Sequence, residues 1–189
     1  MRWLVGCVSL CLLSNAALAE RICRACDPVS FGDILHRNST WDAVFIGHAA
    51  LFLDRIYDVS VSRAPGKALR AISLEDFKAE GPYWGAKTLK DGPQPGAPSA
   101  EDWDQWTARV VDKVQFLMRS GVSYDYLHLY QKGKRSPGGN FLFDCVGFTE
   151  HIWESFGFNP TPDHYEKSWG WPLTVREQRD SPHLEHVRH

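Results

Sequence analysis

Apolar positions along the chain change period several times, and each change marks an element. Ala43 to Leu53 (AVFIGHAALFL) is apolar nearly throughout, the pattern of a strand buried on both faces. Phe31 to Arg37 is a shorter strand entered by a turn at Gly32-Asp33. Ile56 to Ser62 alternates, with Tyr57, Val59 and Val61 on one face and Asp58, Ser60 and Ser62 on the other. Ala68 to Leu74 follows a turn at Ala64-Pro65-Gly66, so the runs at 43–53, 56–62 and 68–74 predict an antiparallel meander. Ser73 and Asp76 predict a capping box on a short helix through Phe77.

Gly81 to Ser99 holds Pro82, Pro93, Pro95, Pro98 and four glycines, which predicts a surface loop or a joint between two halves. Ser99 and Asp102 then cap an amphipathic helix. Trp103, Trp106, Val110, Val114 and Leu117 form its buried face, and Gly121 ends it. Val122 to Tyr126 and a basic, Gly-rich loop at 132–140 lead to a second such helix. Phe141-Leu142-Phe143 reads as a strand end and Asp144 as an N-cap. Phe148, Ile152 and Phe156 recur at helical spacing from Cys145, and Gly157 with Pro160 marks the stop. Trp169-Gly-Trp171-Pro172 reads as a segment laid across the body, and His183 to His189 as a polar, mobile end.

Residues 1–19 have the form of an export signal: basic Arg2, an apolar core from Leu4 to Leu13, and a small-residue cleavage pattern at Ala17-Leu18-Ala19. The expectation is a cut after Ala19 and a secreted or periplasmic protein. The apolar run is too short to span a membrane. The 170 residues left from 189 suit a single domain, expected to be monomeric, with a real core. A formal charge of −2 gives no reason to expect nucleic acid, and eight tryptophans argue against disorder.

Cysteine usage adds chemistry. Cys23-Arg-Ala-Cys26 has the spacing of a redox or metal pair. A zinc site needs a second ligand pair that is not placed here, so no metal is expected. A redox role needs the pair between a strand and a helix. In an exported chain a local disulfide is the simplest reading. That pairing leaves Cys145 as a free thiol on the first turn of a helix, where the dipole favours thiolate and hence a nucleophile. The alternative is a small buried hydrophobe at a helix start. His48 interrupts the most apolar strand, so it is either a hydrogen-bonded core residue or a working one.

These motifs together resemble the NlpC family of papain-like cell-wall cysteine peptidases. FDCVGF (Phe143 to Phe148) is similar to that family's nucleophile segment, Asp-Cys-Ser-Gly-Phe/Leu, with Val146 in place of the serine. Gly121-Val-Ser-Tyr124 and Ser136-Pro137-Gly138 look like its upstream segments. Gly32-Asp33-Ile34-Leu35 and Gly47 to Leu51 look like its Gly-Asp and histidine strands. His48 precedes Cys145, the reverse of the usual order. The likeness is therefore to the circularly permuted branch, which includes envelope hydrolases and the lecithin–retinol acyltransferase group.

The resemblance implies an α+β fold with an antiparallel sheet packed against helices and the nucleophile at a helix N-terminus. It implies Cys145 as nucleophile and His48 as base, with Ser60 or Asp58 orienting the base and Tyr124 at the oxyanion. No cofactor is needed. Lys134, Arg135 and Tyr126 are candidates for substrate contact, although a basic loop can equally be a solvated one. The implied activity is hydrolysis of an amide in a peptidoglycan stem peptide. Action on a lipid acyl group and a catalytically silent envelope binding protein are the other readings.

Overall fold

The computed structural model describes residues 25–38, 47–61, 64–92, 100–125, 135–162 and 173–187. The export segment, Cys23, Ala43 to Ile46, the prolines at 93, 95 and 98, Tyr126, Lys134 and Trp169 to Pro172 lie outside the described residues.

The architecture is mixed α+β. Among the described residues, a six-stranded sheet has the order β4-β3-β2-β1-β5-β8, and every pairing in it is antiparallel. Strand β2 (His48–Phe52) lies inside it, between β1 (Ile34–Arg37) and β3 (Ile56–Val59). β4 (Leu69–Ile72) completes the predicted meander. Alternation sorts the side chains onto two faces. Leu35, Ala50 and Ile56 pack with Phe77 of helix α1 (Leu74–Ala79). Ser73 caps that helix by accepting the Asp76 N–H at 3.0 Å, and its hydroxyl donates to the Asp76 carboxylate at 2.8 Å.

The other face carries the main core. Ile34, Leu51 and Val59 meet Trp106, Val110, Val114 and Leu117 of α2 (Ala100–Ser120) and Phe148, Ile152 and Trp153 of α3 (Cys145–Glu154). Gly121 ends α2 with φ +82, a conformation that costs glycine little. β6 (Val122–Tyr124) then pairs in parallel with β7 (Phe141–Phe143), which feeds α3.

Two expectations are corrected. The stretch at 81–99 is not a loop throughout: Tyr83–Leu89 is strand β5, hydrogen-bonded to β1 on the edge opposite β2. The prolines that suggested a loop stand outside 83–89, whereas Tyr83, Trp84 and Thr88 within it favour strands. The end of the chain is not mobile over its described part. β8 (Leu184–His186) pairs with β5, Leu184 and Val187 are buried, and His183 Nδ1 lies 2.8 Å from the Asn159 carbonyl oxygen. A three-residue strand in a histidine-rich segment carries too little apolar pattern to be read in advance. Ahead of it, α4 (Val175–Arg179) is held by a capping box of Thr174 and Glu177.

Candidate active site

Asp125 N–H donates to the Phe143 carbonyl at 2.9 Å, which holds the end of β7 in place. Asp144 then turns the chain into α3. Its Oδ1 accepts the Gly147 N–H at 2.6 Å, as an N-cap carboxylate does. Cys145 is the first helical residue, a free thiol and buried. Its backbone N–H belongs to the first turn, whose N–H groups lack intrahelical acceptors. Around the thiol pack Ala49 of β2, Val146, and Leu173 and Val175 at the start of α4, with Trp84 of β5 against them. Small Ala49 is what lets the helix end approach the sheet.

His48 opens β2. Gly47 before it has φ +126, and a Cβ there would stand 2.8 Å from Val175 Cβ and 3.0 Å from Trp84. The imidazole is buried and tilted against Phe77, ring centres 6.0 Å apart. Its Nε2 is 2.7 Å from Asp58 Oδ2, and a side-chain hydrogen bond joins the ring to Cys145. With Nε2 on the carboxylate, Nδ1 is the ring atom left for the thiol. Burial alone would push His48 down. The charge of a Cys145 thiolate and the bonds to Asp58 and Cys145 outweigh it and hold the imidazole at about 9. The imidazole is therefore held in its protonated form beside the Cys145 thiol at neutral pH.

Asp58 is fully buried. Burial raises such a carboxyl, but its bonds to His48 and Arg70 prevail and hold it below the usual range. Arg70 stands directly opposite on β4 and forks onto it, Nε to Oδ1 at 2.8 Å and Nη2 to Oδ2 at 2.9 Å. Of the two candidate orienting residues, Asp58 is the one bonded to His48. Ser60 lies one residue past β3, with its backbone N–H on the Ala68 carbonyl at 3.0 Å.

Tyr124 pairs in register with Phe143, two residues before Cys145, and packs half-buried against the main core. Arg135 is exposed and committed to its own loop: it donates to the Gly139 carbonyl at 2.7 Å and lies 4.1 Å above the Phe141 ring. Lys134 and Tyr126 lie outside the described residues. Cys26 is disulfide-bonded, and Cys23 is among the undescribed positions.

A second buried polar group, not anticipated from the sequence, lies beneath the site. His36 pairs in register with Ala49, and its Nε2 is 3.3 Å from Gln178 Oε1. Gln178 donates in turn to Thr149 Oγ1 at 2.8 Å and Glu150 Oε1 at 2.6 Å. Burial pushes His36 down to about 3, so it is neutral and serves as a tie. This network fastens α4 to β1 and α3, and so sets the wall that Val175 presents to Cys145. A histidine in a buried strand was its signal. Gln178 gave none, because a glutamine on a five-residue polar helix reads as exposed.

No protein-family model matches the chain, no curated protein matches it, and no solved structure matches its fold.

Proposed function

We propose that the chain is a thiol hydrolase with a circularly permuted NlpC-type papain-like fold, exported to the cell envelope and acting on an amide of peptidoglycan stem peptides. The observation that carries the reading is the continuous path Cys145–His48–Asp58: a free thiol on a helix's first turn, bonded to an imidazole that stands 2.7 Å from a buried carboxylate. The order of these residues along the chain and the motif likeness at Phe143 to Phe148 supply the rest.

In this reading the Cys145 thiolate attacks the amide carbonyl, forming the S–C bond. The Cys145 backbone N–H meets the developing oxyanion. The tetrahedral adduct collapses, the C–N bond breaks, and His48 gives its proton to the leaving amine. Water then attacks the thioester while neutral His48 takes its proton, and the carboxylic acid leaves from sulfur. Asp58 keeps the imidazole oriented throughout, and charged until it gives its proton to the leaving amine.

The test incubates the protein and a Cys145→Ala control with purified sacculi and, separately, with phospholipid vesicles. Muropeptide release by the wild type alone supports the proposal. Fatty-acid release alone replaces it with lipid acyl chemistry. Turnover of neither, with a thiol as slow as free cysteine toward iodoacetamide, leaves a binding protein.

A further inference from the structure

We propose that Arg70 is a positioning residue for the Cys145–His48 pair, held in place by Glu80 at the C-terminal end of α1. The inference rests on the thiol-hydrolase reading and deepens it.

Arg70 spends both edges of its guanidinium. One edge holds both oxygens of Asp58. The other donates to both oxygens of Glu80, Nη1 to Oε1 at 2.8 Å and Nη2 to Oε2 at 2.6 Å. Asp58 Oδ2 is shared by His48 and Arg70, and Oδ1 is taken by Arg70. The carboxylate therefore cannot turn about its own bond without breaking the fork. Its plane fixes the imidazole, and the imidazole fixes the nitrogen facing the thiol.

Glu80 is anchored in turn. Arg37 Nη2 donates to Glu80 Oε2 at 2.7 Å, and Arg37 Nη1 donates to the Glu80 carbonyl at 3.1 Å, where a cation suits a helix C-terminus. Arg37 stands opposite His48 in the β1–β2 register. Burial pulls Arg37 down, while Glu80, Asp58 and the Cys145 thiolate act against that pull. The groups form a run of alternating sign: His48 on β2, Asp58 on β3, Arg70 on β4, Glu80 on α1 and Arg37 on β1, with Cys145 on α3 beside His48.

This run of linked charges gives Arg70 a role an ordinary surface ion pair lacks. Asp58 has no exposure to water, so a carboxylate there keeps its charge only beside a cation. Without the guanidinium it binds a proton or turns away, and the imidazolium loses its partner. The thiolate then forms only at higher pH.

The experiment follows alkylation of Cys145 by iodoacetamide against pH in the full chain, with near-UV circular dichroism reporting folding. Alkylation reads the thiolate and needs no substrate. Arg70→Gln is expected to move the acid limb up by about one pH unit, so the rate at pH 6 falls roughly tenfold. Arg70→Lys keeps the charge but not the fork and is expected to show about half that shift. Asp58→Asn with Arg70→Gln is expected to shift no further than Asp58→Asn alone, because one residue acts through the other.

A folded Arg70→Gln protein with the wild-type limb overturns the proposal, as does additivity in the double variant. Should Arg70→Gln fail to fold, Arg70→Lys decides: a limb at the wild-type position overturns it. A wild-type thiol no faster than free cysteine at pH 6 overturns the hydrolase reading and this inference together. That result is visible before any variant is compared.

Discussion

His48 and Asp58 lie on adjacent antiparallel strands, and their side chains meet at 2.7 Å with both groups buried. The carboxylate stands on the ring nitrogen away from Cys145, so it can orient and charge the imidazole without competing for the thiol. The first expected outcome concerns that thiol. Cys145 should alkylate with iodoacetamide at pH 6 at least tenfold faster than free cysteine, whose ordinary value of about 8.5 leaves little thiolate there. His48→Ala should abolish the advantage. Equal rates for the two proteins would sink the ion-pair account.

The second outcome separates Asp58 from Ser60. Asp58→Asn leaves a group that can offer the imidazole the wrong hydrogen-bond partner and no charge. It is expected to cut turnover by about a hundredfold or more. Ser60→Ala is expected to stay within about twofold, because its side chain is two positions, roughly 7 Å, along the strand from Asp58. Steady-state rates on sacculi check both, and a larger loss from Ser60→Ala would reverse the assignment.

A third concerns pH. His48 is held at about 9 in the fold against an ordinary value of 6.5. A raised value means the folded state binds the proton more tightly. The stabilisation is therefore fully present below pH 6.5 and is lost as pH rises through about 9. Urea unfolding is expected to show stability falling over that window by an amount on the order of 1–3 kcal/mol. His48→Gln should flatten the curve. A wild-type profile that rises from pH 7 to 9.5 would contradict the sign.

How far the site could be read in advance follows from which contacts are local. Asp144 and Cys145 are neighbours, and the N-cap that aims the thiol is written in two consecutive letters. His48 shows itself because an ionisable ring breaks an apolar run. Asp58 was one of two candidates because a period of two places residues 58 and 60 alike, and only the register of β2 on β3 selects between them. Arg70, Glu80 and Arg37 gave no sign, since three ordinary charges on β4, α1 and β1 become one linked run only when the sheet brings those elements together. β5 was hidden by prolines on both flanks, and with it the wall that Trp84 forms beside Cys145.

Gly47 offers a fourth outcome. Its φ of +126 disfavours any side chain, and a Cβ would press on Val175 and Trp84. Gly47→Ala is expected to cost about 1–3 kcal/mol and to slow alkylation of Cys145, because Val175 and Trp84 both pack around the thiol. Denaturant unfolding and the alkylation assay read the two effects. A variant unchanged in both would show a corner loose enough to accept a side chain.

The last outcome tests the end of the chain. A mobile tail would tolerate any substitution, whereas β8 closes the edge of β5 and buries Leu184 to 4% exposure against the main core. Leu184→Ala removes buried methyl groups and is expected to cost about 2–3 kcal/mol. For a chain of this size that lowers Tm by roughly 5–10 °C. A chain ending at Pro182 would also lose Val187 and leave the hydrogen-bonding edge of β5 uncovered. It is expected to melt lower still and to aggregate at concentrations where the full chain does not, because an open edge is a template for pairing. Calorimetry and light scattering measure these two effects. Val29→Ala, at a side chain 51% exposed, is the control and should change neither. A truncated chain with the wild-type melting temperature and no scattering would return the segment to the mobile state that its polar composition suggests.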